Sequence, residues 1–263
     1  MGTFVTMVDA FTDRPFRGNP AAVCLLDGPA DPGWMQSVAA EMNLSETAFC
    51  FPDGDLWDLR WFTPKVEVDL CGHATLATTH VLSTDGGVEG TIRYSTRSGL
   101  LAAQALPEGI VLDFPADSTR RVDPPRGLLA AWGIPDETPV RRGRTDYLIA
   151  LDSEADVRAI RPRFGLLGRV DCRGVMVTAV ADVDADYDVV SRFFGPAVGV
   201  DEDPVTGSAH TTLAPFWSAH LGRDRLRCFQ ASSRGGELEV AMVGDRVEIF
   251  GRAVTTMRGE LAV

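Results

Sequence analysis

One internal repeat, at about half the chain length, constrains the fold more than any other feature of this sequence. Arg60–Asp69, read as RWFTPKVEVD, aligns without gaps with Arg192–Asp201, RFFGPAVGVD, at a constant offset of 132 residues. The Arg, Phe, Pro, Asp and both Val positions are identical in the two copies. Solenoid repeats recur every ~20–50 residues, so a single repeat at this distance indicates two homologous halves facing each other.

Each copy of the repeat leads into a glycine and a run of small residues that predicts a helix. The first helix is expected over Gly72–Ser83, and the second over Ser208–Leu221 with Gly222 as its C-terminal cap. The second helix follows its copy three residues later than the first does. Neither run carries a formal charge, and a helix that is uncharged all round is predicted to be buried.

These helices, with strand patterns on either side of them, predict an α+β fold. Each half is expected to wrap a curled mixed sheet, or a barrel, around its own apolar helix. The stretch 115–144 is rich in Pro, Arg and Asp and indicates the domain boundary. The expected halves are therefore residues 1–117 and 118–263, with a last strand that can cross back to the first half.

The two predicted helix starts are candidates for binding an anion. A helix N-terminus presents unpaired N–H groups and a partial positive charge, and Gly72 and Gly207 let a ligand approach the backbone. Two such starts in related positions favour one shared site for a substrate carboxylate, built from both halves. The alternative is a pair of ordinary helix caps, with Thr206 or Ser208 capping the second helix.

Glu46 is the candidate acid/base. The stretch Leu44–Phe51 reads as a strand, on which Glu46 shares its face with Leu44, Ala48 and Cys50. A carboxyl among apolar groups loses solvation of its charged form, so the pKa of Glu46 is expected to rise toward neutrality and suit proton exchange. The alternatives are a glutamate paired with a buried arginine and one that faces solvent.

Three further polar groups cluster at the repeated segments. His73, at the first helix start, is a candidate hydrogen-bond donor or proton relay, with a capping or core histidine as the alternative. Asp203 precedes Pro204, as turn residues often do, and is a candidate to orient His73 or bind a substrate amine. Cys71 lacks a partner thiol at the matching place of the second half, which favours a small buried hydrophobe.

Charge and composition exclude several classes of protein. A net charge of −12 and a pI near 4.7 oppose binding to nucleic acid or to an anionic membrane. No apolar run approaches ~18 residues, no signal peptide is visible, and five cysteines without a CxxC pair fit free thiols in a reducing cytoplasm. Four scattered histidines do not predict a metal site, and no nucleotide-binding or GxSxG motif occurs.

Several motifs together resemble those of the PhzF-like phenazine-biosynthesis isomerases, which have the diaminopimelate-epimerase-like fold. The resemblance runs in order through essentially the whole chain. The matching motifs are Gly18–Val23 (GNPAAV), Asn43–Phe49 (NLSETAF), Arg60–Pro64 (RWFTP), Asp69–Thr75 (DLCGHAT) and Glu202–His210 (EDPVTGSAH).

The resemblance implies two pseudo-symmetric halves with the site in the cleft between them, no cofactor, no metal and a homodimer. It implies that Glu46 is the acid/base and that His73, Asp203 and Ser208 support it. It also implies that Asn19 of the GNPAAV turn belongs to the site. The phenazine enzyme of the family moves a proton between carbons of dihydro-3-hydroxyanthranilate.

Three functions are compatible with these residues. The first is a cofactor-independent isomerase acting on a small carboxylated, amine-bearing substrate held by Gly72 and Gly207. The second is an isomerase of an unsaturated cyclic amino acid, such as a pyrroline carboxylate, in natural-product biosynthesis. The third is a non-catalytic binding or regulatory protein on the same scaffold. Retention of Glu46, His73 and Asp203 favours an enzyme.

Overall fold

The structure, a computed structural model, describes residues 2–262, which form two compact units. The first unit contains the residues up to Phe114 and those from Glu248 onward, and the second is Pro115–Val247. The chain passes from the first unit to the second between Phe114 and Pro115, whereas the sequence predicts the division between residues 117 and 118. The last strand joins the first unit because it pairs along the first strand of the chain.

Strands make up most of the regular secondary structure. In chain order they are β1 (Thr3–Ala10), β2 (Asn19–Leu25), β3 (Glu46–Asp53), β4 (Leu56–Phe62), β5 (Glu67–Val68), β6 (Thr91–Thr96), β7 (Gly99–Leu106), β8 (Gly109–Pro115), β9 (Arg120–Val122), β10 (Val140–Arg142), β11 (Asp146–Ala150), β12 (Gly174–Val180), β13 (Val189–Gly195), β14 (Val200–Asp203), β15 (Arg225–Gln230), β16 (Gly236–Val243), β17 (Arg246–Gly251) and β18 (Ala253–Leu261). The helices are α1 (Pro32–Met42), α2 (Gly72–Thr84), α3 (Leu128–Trp132), α4 (Glu154–Ala159), α5 (Phe164–Leu167) and α6 (Gly207–Leu221).

The first unit is a mixed sheet in the order β18-β1-β2-β3-β4-β6-β7-β8. The pairs β2–β3 and β4–β6 are parallel, and the other pairs are antiparallel. The short strand β5 pairs with the end of β4. Helix α2 packs against β1, β2, β3, β7 and β18, so the sheet curls around this helix as the sequence predicts.

Helix α2 is buried although it is rich in threonine. Its hydroxyl groups are satisfied locally, because Thr75, Thr78 and Thr79 each donate to the backbone carbonyl four residues earlier. The Thr79 hydroxyl also lies 2.8 Å from the buried hydroxyl of Tyr94 on β6. The helix therefore buries polar side chains without leaving these hydroxyl groups unpaired, and its uncharged sequence predicts its position correctly.

Helix α1 covers the opposite face of the same sheet. Asp31 caps its N-terminus by accepting from the Trp34 N–H, and Asn43 ends it in the left-handed conformation. Its buried side chains Met35, Val38 and Ala39 pack with Phe49 and other apolar residues of the sheet. Since side chains alternate along a strand, Phe49 of β3 faces α1, whereas Glu46, Ala48 and Cys50 face α2.

The second unit repeats this plan with the strand order β9-β10-β11-β12-β13-β15-β16. Helix α6 is its buried central helix, in contact with β15 and β16. Pro215 lies inside this helix, which continues on both sides of it. The carbonyl of Thr211, which loses its helical partner at Pro215, accepts instead from the Asp117 N–H at 3.0 Å.

The repeated arginines make the same contacts in both units. Arg60 binds Glu67 through two hydrogen bonds of 2.7 and 2.8 Å, and Arg192 binds Glu202 through bonds of 2.7 and 3.0 Å. Each guanidinium also lies over the ring of the phenylalanine two residues later. The two units thus share strand order, central helix and ion pair, and the predicted α+β class is confirmed. Within the described residues, no helix has the length and apolarity needed to cross a membrane.

Candidate active site

Glu46 and His73 meet where the first strand residue of β3 faces the first turn of α2. The Glu46 Oε2 atom lies 3.2 Å from His73 Nε2. The carboxylate side chain keeps 16% of its surface exposed, against 4% for the imidazole. Glu46 therefore remains reachable by a small ligand while one of its oxygens is held against a buried ring.

Asn19 sets the tautomer of His73. Its side chain is fully buried at the start of β2, and its Nδ2 lies 3.1 Å from His73 Nδ1. An amide NH₂ only donates, so Nδ1 accepts, and the proton of the neutral ring is assigned to Nε2, on the Glu46 side. Although Nε2 and Oε2 are close, Nε2 makes no hydrogen bond of acceptable geometry among the described residues. Catalytic contacts of this kind often align only when a ligand binds.

Burial keeps His73 uncharged. Removal from solvent lowers the pKa of the imidazole from 6.5 to about 3. His73 is therefore neutral throughout the physiological pH range. A cationic imidazole would hold the Glu46 carboxylate in its ionised form and weaken it as a base, whereas the neutral ring offers a hydrogen bond without that penalty.

Cys71 completes a compact group of ligand-type atoms. Its sulfur lies 3.5 Å from His73 Nδ1, and one atom each from Glu46, Cys71 and His73 all lie within 4.8 Å of one another. Thiolate, imidazole and carboxylate are typical zinc ligands. The spacing of the histidines along the chain gave no sign of this group, because a strand and a helix start bring its members together.

The start of α6 in the second unit carries a different polar network. The Thr206 hydroxyl donates to the Asp203 carboxylate, and the Thr206 N–H donates to Gln230 Oε1 at 2.9 Å. The amide Nε2 of Gln230 donates back to the Asp203 carbonyl at 2.8 Å. Gln230 is fully buried and was not predicted from the sequence. Its amide fixes the turn that holds Asp203.

Ser208 lies in the first turn of the same helix and accepts a hydrogen bond from an arginine. Arg173 Nη1 donates to its Oγ at 2.7 Å, and Arg173 is in turn paired with the buried carboxylate of Asp146. Neither Arg173 nor Asp146 belongs to a motif in the sequence. The serine is thus held beside a guanidinium, which can orient its hydroxyl toward an anionic ligand.

The residue before each of the two helix starts does not cap its helix through its own side chain. Gly72 and Gly207 are the first residues of α2 and α6, and the residues before them, Cys71 and Thr206, make no side-chain capping hydrogen bond. The expected alternative, in which Thr206 or Ser208 caps the second helix, is not what the described residues show. Thr206 donates to Asp203 instead, and Ser208 accepts from Arg173.

Comparison with known proteins gives a consistent result over nearly the whole chain. An uncharacterized isomerase of Halalkalibacterium halodurans is 48% identical over 264 residues, covering 99% of both chains. An uncharacterized isomerase of Pseudomonas aeruginosa is 49% identical over 259 residues, covering 98% of both. The crystal structure of a PhzF-family phenazine biosynthesis protein from Enterococcus faecalis matches with a TM-score of 0.93 at 41% identity and 100% coverage of both chains.

The names of these relatives and the family match support an isomerase. Residues 8–259 match the family described as Phenazine biosynthesis-like protein. The matched range includes the group around Glu46 and His73 in the first unit, with Asn19, and the network of Asp203, Thr206 and Gln230 in the second. The chain belongs to the phenazine biosynthesis-like protein family.

Proposed function

We propose that this protein is a cofactor-independent isomerase that moves a proton between carbon atoms of a small carboxylated, amine-bearing substrate. Glu46 is the general acid/base. The observation that carries the proposal is the 3.2 Å contact between Glu46 Oε2 and the Nε2 of a buried, neutral His73. A positioned carboxylate that is only partly exposed suits proton transfer to and from carbon.

The proposed step is balanced within the substrate and one side chain. Glu46 removes a proton from one carbon, and the electron pair of the broken C–H bond moves into the substrate π system. The protonated Glu46, which is partly exposed and can exchange its proton with water, then delivers a proton to a second carbon, where a new C–H bond forms. His73 donates from Nε2 to Glu46 during the step, and Asn19 holds the ring. No oxidant and no metal enters this balance.

Substrate recognition is proposed to use both helix starts. On the family resemblance, the N–H groups at Gly72 and at Gly207 are assigned to the substrate carboxylate, since helix N-termini favour anions. Asp203 is assigned to the substrate amine and Ser208 to a polar oxygen. Asn19, expected from the family resemblance to be a site residue, is fully buried against His73, so we assign it a positioning role.

The proposal is tested by turnover and binding with matched substrates. Dihydro-3-hydroxyanthranilate and a pyrroline carboxylate are each incubated with the protein, and products are followed by NMR. The Glu46→Gln variant is expected to bind the active acid, seen as a thermal shift like that of the wild type, and to form no product. A Glu46→Gln variant that turns over normally would reject the role. Failure of the wild type on every carboxylated amine would favour a binding protein.

Assembly and location complete the proposal. A homodimer is proposed on the family resemblance. A cytoplasmic location is proposed because none of the five cysteines forms a disulfide within the described chain, and reduced thiols fit a reducing compartment. Light scattering of the purified protein tests the dimer, for which a mass near twice that of the 28.4 kDa chain is expected. A monomeric mass would contradict it.

A further inference from the structure

A cavity of about 540 Å³ opens on the first unit beside helix α1. Its apolar wall includes Ala30, Met35 and Phe51, and its polar wall is formed by Asp58, Arg60 and Arg97 together with Glu67. A volume of this size is typical of small-molecule sites, which range over ~300–1,000 Å³. The cavity therefore has room for a small organic ligand.

The cavity and the Glu46 carboxylate lie on opposite faces of the sheet. In the register of β3 and β4, Phe51 is directly opposite Asp58, and residues opposite each other in a ladder point to the same face. Phe51 shares its face with Phe49, which packs under α1, whereas Glu46 faces α2. Ligand binding in the cavity is thus separate from the acid/base site.

Asp58 is the least satisfied charged group in this cavity. Its Oδ1 atom is covered by protein and has no hydrogen-bond partner within residues 2–262, while the residue as a whole remains partly exposed. Loss of solvation raises the pKa of the carboxyl above its ordinary value, and the nearby Arg60 only partly opposes the rise. An under-solvated carboxylate gains from any donor that reaches its open side.

The neighbouring arginines are already occupied by other carboxylates. Arg60 binds both oxygens of Glu67, and Arg97 contacts Glu67 at 3.0 Å and Asp69 at 3.1 Å. Both guanidinium groups of the cavity wall are thus already engaged by carboxylates. In formal charge the wall is balanced, with Asp58 and Glu67 against Arg60 and Arg97, but the hydrogen bonds and ion pairs of the two arginines go to Glu67 and Asp69.

We propose that this cavity is a second ligand site, specific for an organic ammonium ion with an apolar body. The ammonium group donates to the open side of Asp58. The apolar body packs against Met35, Phe51 and Ala30. A carboxylate of the same shape is excluded, because it would face Asp58 and Glu67 while Arg60 and Arg97 are engaged.

The test compares three probes of one shape and three charges: 2-phenylethylammonium, 2-phenylethanol and phenylacetate. Each is titrated into the whole protein by calorimetry and ligand-observed NMR. The ammonium ion is expected to bind with a Kd of about 1 mM or tighter, and phenylacetate is expected not to bind. Asp58→Asn is expected to weaken binding of the ammonium ion by about tenfold or more and to leave the affinity for 2-phenylethanol nearly unchanged.

Three variants separate binding in this cavity from binding at the acid/base site and from a general effect of surface charge. Asp53→Asn removes a nearby exposed charge that does not line the cavity and is expected to keep the affinity, as is Glu46→Gln in the acid/base site. Ala30→Phe fills the cavity and is expected to abolish binding, with a circular dichroism spectrum that shows the fold is kept. The proposal would be overturned if Asp58→Asn bound the ammonium ion as tightly as the wild type, if Glu46→Gln lost that affinity, or if the wild type did not bind the ammonium ion.

Discussion

Asn19 donates a hydrogen bond from Nδ2 to Nδ1 of His73 over 3.1 Å, and this bond joins the start of β2 to the first turn of α2. The bond decides which ring nitrogen carries the proton, and hence whether His73 presents a donor or a lone pair to Glu46. The proposed chemistry depends on a donor at Nε2. A lone pair there would repel the Glu46 carboxylate and would favour its protonated form.

Asn19→Asp is expected to move the ring proton of His73 from Nε2 to Nδ1. The new carboxylate requires a proton on Nδ1, so the lone pair of Nε2 turns toward Glu46. A loss of about 10- to 100-fold in kcat is expected, as for other residues that orient a functional histidine, with little change in substrate affinity. The ¹⁵N chemical shifts of the ring report the tautomer. Asn43→Asp, at the exposed end of α1, makes the same chemical change and is expected to keep full activity.

Gln230 is expected to contribute more to stability than an ordinary glutamine. In Gln230→Ala, the buried Thr206 N–H and the Asp203 carbonyl lose their partners, and each unsatisfied buried group costs about 1–3 kcal/mol. Urea unfolding is expected to show a loss of at least about 2 kcal/mol. The exposed Gln104→Ala control should stay within about 0.5 kcal/mol. A Gln230→Ala variant as stable as this control would show that the network is not needed.

The sequence predicts those features that local patterns encode. The absence of charge identifies α2 and α6 as buried, and strand alternation places Glu46 on the same face as Ala48 and Cys50, whereas Leu44 precedes the strand and packs with the residues under α1. The repeat locates Arg60 and Arg192, but it pairs Glu67 with Gly199. The second glutamate of the ion pairs, Glu202, was therefore not recognised, because the chain shifts by three residues after the repeat.

Contacts between residues distant in sequence could not be predicted in this way. Gln230 reaches Asp203 only because β15 runs beside the turn that precedes α6, and nothing near Gln230 marks it as functional. Pro215 is accommodated within α6 because the Asp117 N–H replaces the missing helical donor. Both outcomes depend on tertiary structure that brings a second segment within hydrogen-bond distance.

Stability is expected to fall as the pH decreases below about 6.5, the ordinary histidine value. Burial lowers the pKa of His73 to about 3 and that of His210 to about 4. Between these values and 6.5 the unfolded chain binds protons that the folded chain does not, so unfolding is favoured by up to about 1.4 kcal/mol per pH unit and per histidine. Above 6.5 both states are neutral and the effect vanishes.

Urea unfolding of the wild type and of His210→Gln at pH 7.5, 6 and 5 measures this contribution. The stability difference between the two proteins is expected to shift in favour of the variant as the pH falls, because the substituted glutamine side chain takes up no proton in either state. Parallel stability curves across this range would contradict a buried, neutral His210.

The proposed chemistry does not require the cluster of Glu46, Cys71 and His73 to hold a metal. Dialysis against a chelator is therefore expected to leave kcat unchanged. Added Zn²⁺ is expected to inhibit, since it would occupy the Glu46 carboxylate, and Cys71→Ser is expected to relieve that inhibition by removing the thiolate ligand. Loss of turnover on chelation, with recovery on addition of one equivalent of metal, would show a metal-dependent enzyme instead.

The most direct test of Glu46 is hydrogen exchange between substrate carbon and solvent. The wild type, Glu46→Gln and Cys71→Ser proteins are incubated in deuterated water with the active acid, and deuterium at each substrate carbon is counted by mass spectrometry and NMR. We predict exchange that is slowed about 10²- to 10⁴-fold in Glu46→Gln, the usual range for an acid/base group, and near the wild-type rate in Cys71→Ser. Exchange that survives in Glu46→Gln and disappears in Cys71→Ser would assign the proton transfer to the thiol and contradict the role of Glu46.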